Sequence, residues 1–223
     1  MVEWTGNGAC GLQMLIGLIA DIHARPAALA DALKQFRQRG AEQLLCAGDI
    51  AGYFDELQPC IELLTIHQVR CVQGNHDRDF IRRHPDCSAA DWLAALPLRH
   101  EMQLDGQHLL LIHDAPVERP GAGIRLLDRS GRFSEQACAD WTRRLSAVKA
   151  DVLIVGHSHQ VFAVDLGRLR VINPGSCPFN HSAALLELPS GRVEFLSLEG
   201  QPLRRSWNFS HSLGQQRPNT GAP

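Results

Sequence analysis

The sequence predicts an α/β fold in which two mixed sheets are flanked by helices, and three of its features carry that expectation. Five short apolar runs stop abruptly at Asp, Asn or His: Leu15 to Ala20 at Asp21, Gln43 to Ala47 at Gly48-Asp49, Val69 to Gln73 at Gly74-Asn75-His76-Asp77, Leu109 to Ile112 at His113-Asp114, and Val152 to Val155 at Gly156-His157-Ser158-His159. Runs of this length bounded by turn residues read as buried strands. Strand and helix patterns alternate over residues 14–73, which predicts parallel strands joined by right-handed crossovers. The second half holds short strand patterns separated by turns, as an antiparallel sheet would.

After the first strand, Ala27 to Arg39 places Ala28, Leu29, Ala32, Leu33 and Phe36 at helical spacing, with Gly40 as a stop signal. Arg25, just before this helix, is positioned either to meet a phosphate or to lie in solvent. Glu56 to His67 is a second amphipathic helix, with His67 at its carboxyl end. Asp79 to Leu96 reads as a short helix, a turn at His84-Pro85-Asp86 and another helix. Leu98 to Leu104 and Gln107 to Ile112, joined by Asp105-Gly106, form a hairpin that delivers His113; His100 and His108 lie on its flanks. Ala115 to Phe133 is a long irregular segment with Arg119, Arg125, Arg129 and Arg132, and loops of this length inside a compact domain are usually functional or mobile. Ser134 to Lys149 opens with an N-cap serine and carries Ala137, Trp141, Leu145 and Val148 on one face. Val161 to Leu166, Leu169 to Ile172, Ala183 to Leu188 and Val193 to Leu198 read as an antiparallel meander forming the second sheet. Met1 to Gln13 is expected to be a flexible leader, residues 14–199 one domain, and residues 200–223 a disordered tail rich in polar residues, Gly and Pro.

The strand ends carry the chemistry. Asp21 and His23 are two apart, so side chains leaving the strand end can converge in the crevice where open α/β sheets bind ligands. Glycine before Asp49, Asn75 and His157 permits a sharp exit from the strand, and Asp, Asn and His are ligands of first-row divalent metals.

Asp21-x-His23, Gly48-Asp49, Gly74-Asn75-His76-Asp77, His113 and Gly156-His157-x-His159, in this order, resemble the five signature blocks of the calcineurin-like metallophosphoesterases. The likeness spans residues 15 to 180. Gly48-Asp49-Ile50-Ala51-Gly52-Tyr53 and Asn173-Pro174-Gly175-Ser176 are similar to the small prokaryotic single-domain phosphodiesterase branch. The resemblance implies a four-layer α-β-β-α sandwich with a dinuclear metal site at the strand ends. It further implies that Asp21, His23 and His159 hold one ion, that Asn75, His113 and His157 hold the other, and that Asp49 bridges them. Seven such ligands are too many for one ion that must keep positions open for water and substrate. Imidazole and carboxylate ligation without thiolate suits Mn, the expected ion, or Fe, Zn, Ni or Co.

Two such ions, about 3.5 to 4 Å apart, would activate a shared water, making hydroxide the nucleophile. His76 is not needed as a ligand, and the family gives the histidine of this block the role of general acid; Asn75, His76 and Arg125 are the expected substrate contacts. In the serine/threonine protein phosphatase branch the Gly-Asp block continues to Asp-Arg-Gly, whose arginine grips phosphate. Gly52, Tyr53 and Phe54 stand there in this chain. Dianionic monoesters gain most from such a guanidinium, so its absence favours phosphodiesters.

A net charge of −2 argues against a dedicated nucleic-acid-binding module, although a local basic patch is compatible with it. Seven cysteines scattered without Cys-x-x-Cys pairs read as buried reduced thiols, indicating a cytoplasmic setting, and no run approaches the roughly 18 apolar residues of a membrane span. The expected partner is a small-molecule or nucleotide phosphoester. Two rival readings stand beside it: a phosphomonoesterase or phosphoprotein phosphatase whose loop arginines replace the missing grip, and a binding scaffold like the retromer subunit of this fold. Scaffold members lose ligands or the acid histidine, whereas all eight positions are intact here.

Overall fold

The computed structural model describes residues 13–117 and 123–207. The first sheet has the order β10-β9-β1-β2-β3, from β1 (Met14–Ile19), β2 (Gln43–Cys46), β3 (Arg70–Cys71), β9 (Ser182–Leu188) and β10 (Arg192–Ser197). The second has the order β4-β5-β6-β8-β7, from β4 (Arg99–Leu104), β5 (Gln107–Ile112), β6 (Val152–Ile154), β7 (Val161–Leu166) and β8 (Leu169–Pro174). Both sheets are mixed. Strands β1, β2 and β3 are parallel, as the alternation of patterns requires, with β9 antiparallel on the other side of β1.

Helices α1 (Pro26–Gln38), α2 (Leu57–Ile66), α3 (Asn75–Arg83) and α4 (Ser88–Ala94) precede the hairpin, and α5 (Glu135–Arg144) follows it. Phe36 and Leu33 of α1 and Leu64 of α2 pack with Leu93 of α4 and Ile19 of β1 in one core. Ile16, Leu18, Leu109, Ile154 and Leu186 fill a second core between the sheets. Trp141 and Leu145 pack with Leu110, Leu153 and Phe162 in a third. Helix, sheet, sheet and helix are therefore stacked, the four-layer sandwich expected.

Several local expectations hold. Ser134 caps α5 by accepting from the Ala137 amide, and the β4-β5 hairpin turns through Asp105 and Gly106, both with positive φ, as a two-residue hairpin loop requires. The expected meander is instead divided. Strands β7 and β8 stay in the second sheet, where β8 lies parallel to β6, whereas β9 and β10 cross to the first. The cause is burial: Ala183 and Leu185 enter one core while Ala184, Leu186 and Leu188 enter another, so β9 must lie between two layers. Residues 201–207 depart from the expected tail. Gln160 and Ser206 form a β-bridge, and the Trp207 amide donates to the His159 carbonyl at 3.0 Å. The leader through residue 12, Arg119 and the tail beyond residue 207 lie outside the described residues.

Six cysteines among the described residues are free; Cys46, Cys60, Cys71 and Cys177 are buried, Cys87 and Cys138 partly so. Among the described residues, no helix is long and apolar enough to cross a membrane.

Candidate metal centre

The carboxyl ends of β1, β2, β5 and β6 and the start of α3 meet at the seam of the two sheets, and each supplies side chains to one cluster. Asp21, His23, Asp49, His157 and His159 all have positive φ, between 50° and 66°. This left-handed backbone costs an ordinary residue roughly 1–2 kcal/mol. It is concentrated here because it turns a side chain off the strand end toward the seam.

Three groups of candidate ligand atoms lie within 4.8 Å of one another: Asp21 with His23 and His159, His23 with Asp49 and His76, and Asp49 with His113 and His157. Asp49 belongs to the last two of these and His23 to the first two, so the cluster divides into one half around His159 and a second around His113. Asn75 joins the second, its Oδ1 2.9 Å from His113 Nε2. The seven sequence-predicted ligands and His76 are thus gathered in one place.

The orientation of the rings decides what this place can hold. His113 Nδ1 lies 2.7 Å from the carbonyl oxygen of Ala47. A carbonyl only accepts, so Nδ1 carries the hydrogen, and loss of the proton from Nε2 would leave its lone pair aimed inward. That nitrogen lies 3.3 Å from Asp49 Oδ2 and 3.2 Å from His157 Nδ1. His23 is arranged alike: Nδ1 faces the Ala51 carbonyl at 3.3 Å, and Nε2 lies 3.1 Å from His159 Nε2, which is 3.5 Å from Asp21 Oδ1. Lone pairs and carboxylates pointed at one another in a dry site repel unless a cation lies among them, and this donor set fits divalent transition metals.

Electrostatics follow the same logic. Burial opposes charging His113, but the Asp49 and Asp21 carboxylates raise it to about 9. His23 is pushed down to about 4, chiefly by burial. Burial likewise opposes ionisation of Asp21 and Asp49, yet the histidines around them hold both below the usual carboxylate range.

One organising residue has a role that the sequence alone does not reveal. Asp77 is fully buried, and its carboxylate accepts from the amides of Gly74 at 2.8 Å, Asp49 at 3.0 Å and Ala51 at 2.8 Å. It therefore ties the Asp49 loop to the start of α3. Burial and the nearby Asp49 raise it to about 6. An acid three residues after the N-cap, here Gly74, is the sequence signal that marks it. The Asn173-Pro-Gly-Ser turn also acts here: Asn173 Nδ2 donates to the Gly156 carbonyl at 2.8 Å, and Ser176 Oγ to the Asp21 carbonyl at 2.7 Å.

Close approach fixes two glycines. A Cβ at Gly74 would lie 2.0 Å from Asp49 Oδ1, and one at Gly52, where φ is +152°, would lie 2.2 Å from His23 Nδ1. Tyr53 follows, its ring centroid 4.7 Å from those of His23 and His76. Phe179 stacks between His159 and Trp207, which brings residues 201–207 against the first half of the site. Arg25 lies away from the ligands, 3.8 Å from Glu199 and over the Phe54 ring. Arg125 is exposed on the loop whose Gly123 lies against His157, and partial desolvation lowers its pKa.

Residues 14–189 match the model of the calcineurin-like phosphoesterase superfamily domain. A probable metallophosphoesterase of Methanothermobacter thermautotrophicus is 29% identical over 210 residues, 88% of this chain and 99% of that protein. Among solved structures, a metallophosphoesterase from Sphaerobacter thermophilus has a TM-score of 0.64 at 21% identity, covering 84% of this chain and 90% of that one. An archaeal phosphodiesterase has a TM-score of 0.55 at 17% identity, covering 83% of this chain and all (100%) of the other. With its strand-end blocks gathered in one buried cluster and its family model spanning most of its length, the chain belongs to the calcineurin-like phosphoesterase superfamily.

Proposed function

We propose that the protein is a phosphodiesterase of the cytoplasm that uses two divalent transition-metal ions, Mn first among them, to cleave a small-molecule or nucleotide phosphoester. The observation that carries this reading is Asp49, whose carboxylate belongs both to the group with His113 and His157 and to the group with His23 and His76. Asp21, His23 and His159 would hold one ion, Asn75, His113 and His157 the other, with Asp49 shared. Bound there, the ions would supply Lewis acidity for the phosphoryl group and a water activated for in-line attack.

The protein's own residues do the rest. Asp77 and the two backbone carbonyls of Ala47 and Ala51 fix the ligand orientations, so little reorganisation accompanies reaction. His76, partly buried, stands beside His23, ring centroids 4.9 Å apart, and would donate a proton to the departing alkoxide. Gly52, Tyr53 and Phe54 supply no guanidinium at the position where the protein phosphatase branch has one, which supports diesters over monoesters.

The test compares kcat/KM for bis-p-nitrophenyl phosphate and p-nitrophenyl phosphate in the Mn-loaded protein. A diester preference is expected. A monoester preference that collapses in Arg119→Ala, Arg125→Ala or Arg129→Ala would assign the loop the phosphate grip and withdraw the diesterase reading.

A further inference from the structure

Tyr53 is one of the few large hydrophobic side chains exposed among the described residues, with 51% of its surface open. It is also built into the metal centre. With His23 and His76 it forms a triangle of rings whose centroids are 4.7, 4.7 and 4.9 Å apart, and Phe179 stands edge-on to it at 5.4 Å. Its backbone is held by Gly52, where any side chain would strike His23, and by the Phe54 amide, which donates to the His23 carbonyl at 3.1 Å. A rigid, half-open aromatic ring thus stands beside His76.

We propose that Tyr53 is a stacking subsite for a planar ring on the substrate, so that the preferred ligands are nucleotides rather than alkyl or sugar phosphates. This rests on the reading of the cluster as the phosphate-binding metal centre. A phosphate held at the ligands and an alcohol oxygen within reach of His76 place the remainder of that alcohol against Tyr53. There a base gains from stacking and from excluding water from the exposed ring, whatever its identity, because every base has a π-face. A guanidinium at this position would bind more phosphate charge; an aromatic ring selects what the phosphate is attached to.

The test is equilibrium binding of AMP and of ribose 5-phosphate to the Mn-loaded protein by calorimetry, which requires no turnover and so separates this inference from the diester preference. Stacking of one base predicts that AMP binds more tightly by roughly five- to hundredfold. Tyr53→Phe should keep that ratio, whereas Tyr53→Ala and Tyr53→Leu should bring it to about one, with metal content unchanged in all three. Equal affinity in the native protein, a ratio that survives in Tyr53→Ala, or no binding of either ligand would overturn it. A ratio lost equally in Tyr53→Phe would also overturn it, since the hydroxyl and not the ring would then recognise the ligand.

Discussion

His113 Nδ1 and the Ala47 carbonyl oxygen, 2.7 Å apart, fix which nitrogen of that ring is aimed at Asp49. In the metal-free protein a proton on His113 Nε2 satisfies this arrangement, which is why the group is raised from 6.5 to about 9. A raised pKa adds stability that is fully present below about pH 6.5 and is lost as pH rises through about 9. The metal-free protein should therefore lose stability across that window, measured by urea unfolding. Metal must displace the same proton, so loading near pH 7.5 should release protons, and metal affinity should weaken as pH falls. Calorimetry in buffers of different ionisation enthalpy measures the release; none would mean that His113 is not a ligand.

Asp77→Asn should be costly although Asp77 touches no substrate. An amide in its place offers a single acceptor oxygen to three buried N–H donors, and each stranded donor costs about 1–3 kcal/mol. Both a lower unfolding midpoint and a loss of bound metal are expected, because the Asp49 loop and the start of α3 lose their tie. An unchanged midpoint would remove Asp77 from the account.

Gly74→Ala and Gly52→Ala should separate the two halves of the site. The first drives a methyl group into Asp49, the second into His23. Metal analysis should find Gly74→Ala depleted of both ions and Gly52→Ala impaired mainly at the site of Asp21, His23 and His159. Equal occupancy in both variants would contradict the shared role of Asp49.

His76→Asn should retain metal and lose turnover by something like 10²- to 10⁴-fold, the range of general-acid catalysis. The loss should be smaller for a p-nitrophenyl ester, whose phenolate departs without a proton, than for a nucleoside ester. Equal losses would assign His76 to phosphate binding.

The clustered Asp, Asn and His residues are legible in the sequence because each follows an apolar run that stops at a polar residue, a pattern that survives without any tertiary information. How they converge was not. The alternation of side chains along a strand places Asp21 and His23 on one side, but β1 ends at Ile19 and both residues reach the seam through left-handed backbone. The partition of the last four strands was hidden for a related reason: apolar alternation identifies β9 as a strand without naming the sheet that buries its two faces. Asp77 lies within its block, but its role is not legible there, since its value lies in three amides from two separate loops. The aromatic stack of His159, Phe179 and Trp207 depends on residues 201–207, whose composition suggests a tail and whose order comes from pairing beside Gln160.

Sharing of Asp49 between two ions is tested most directly by anomalous scattering from crystals of the Mn-loaded protein. Two peaks flanking the Asp49 carboxylate, one among Asp21, His23 and His159 and the other among Asn75, His113 and His157, are the result this account predicts. A single fully occupied ion per chain, with Asp49 contacting that ion alone, would contradict it.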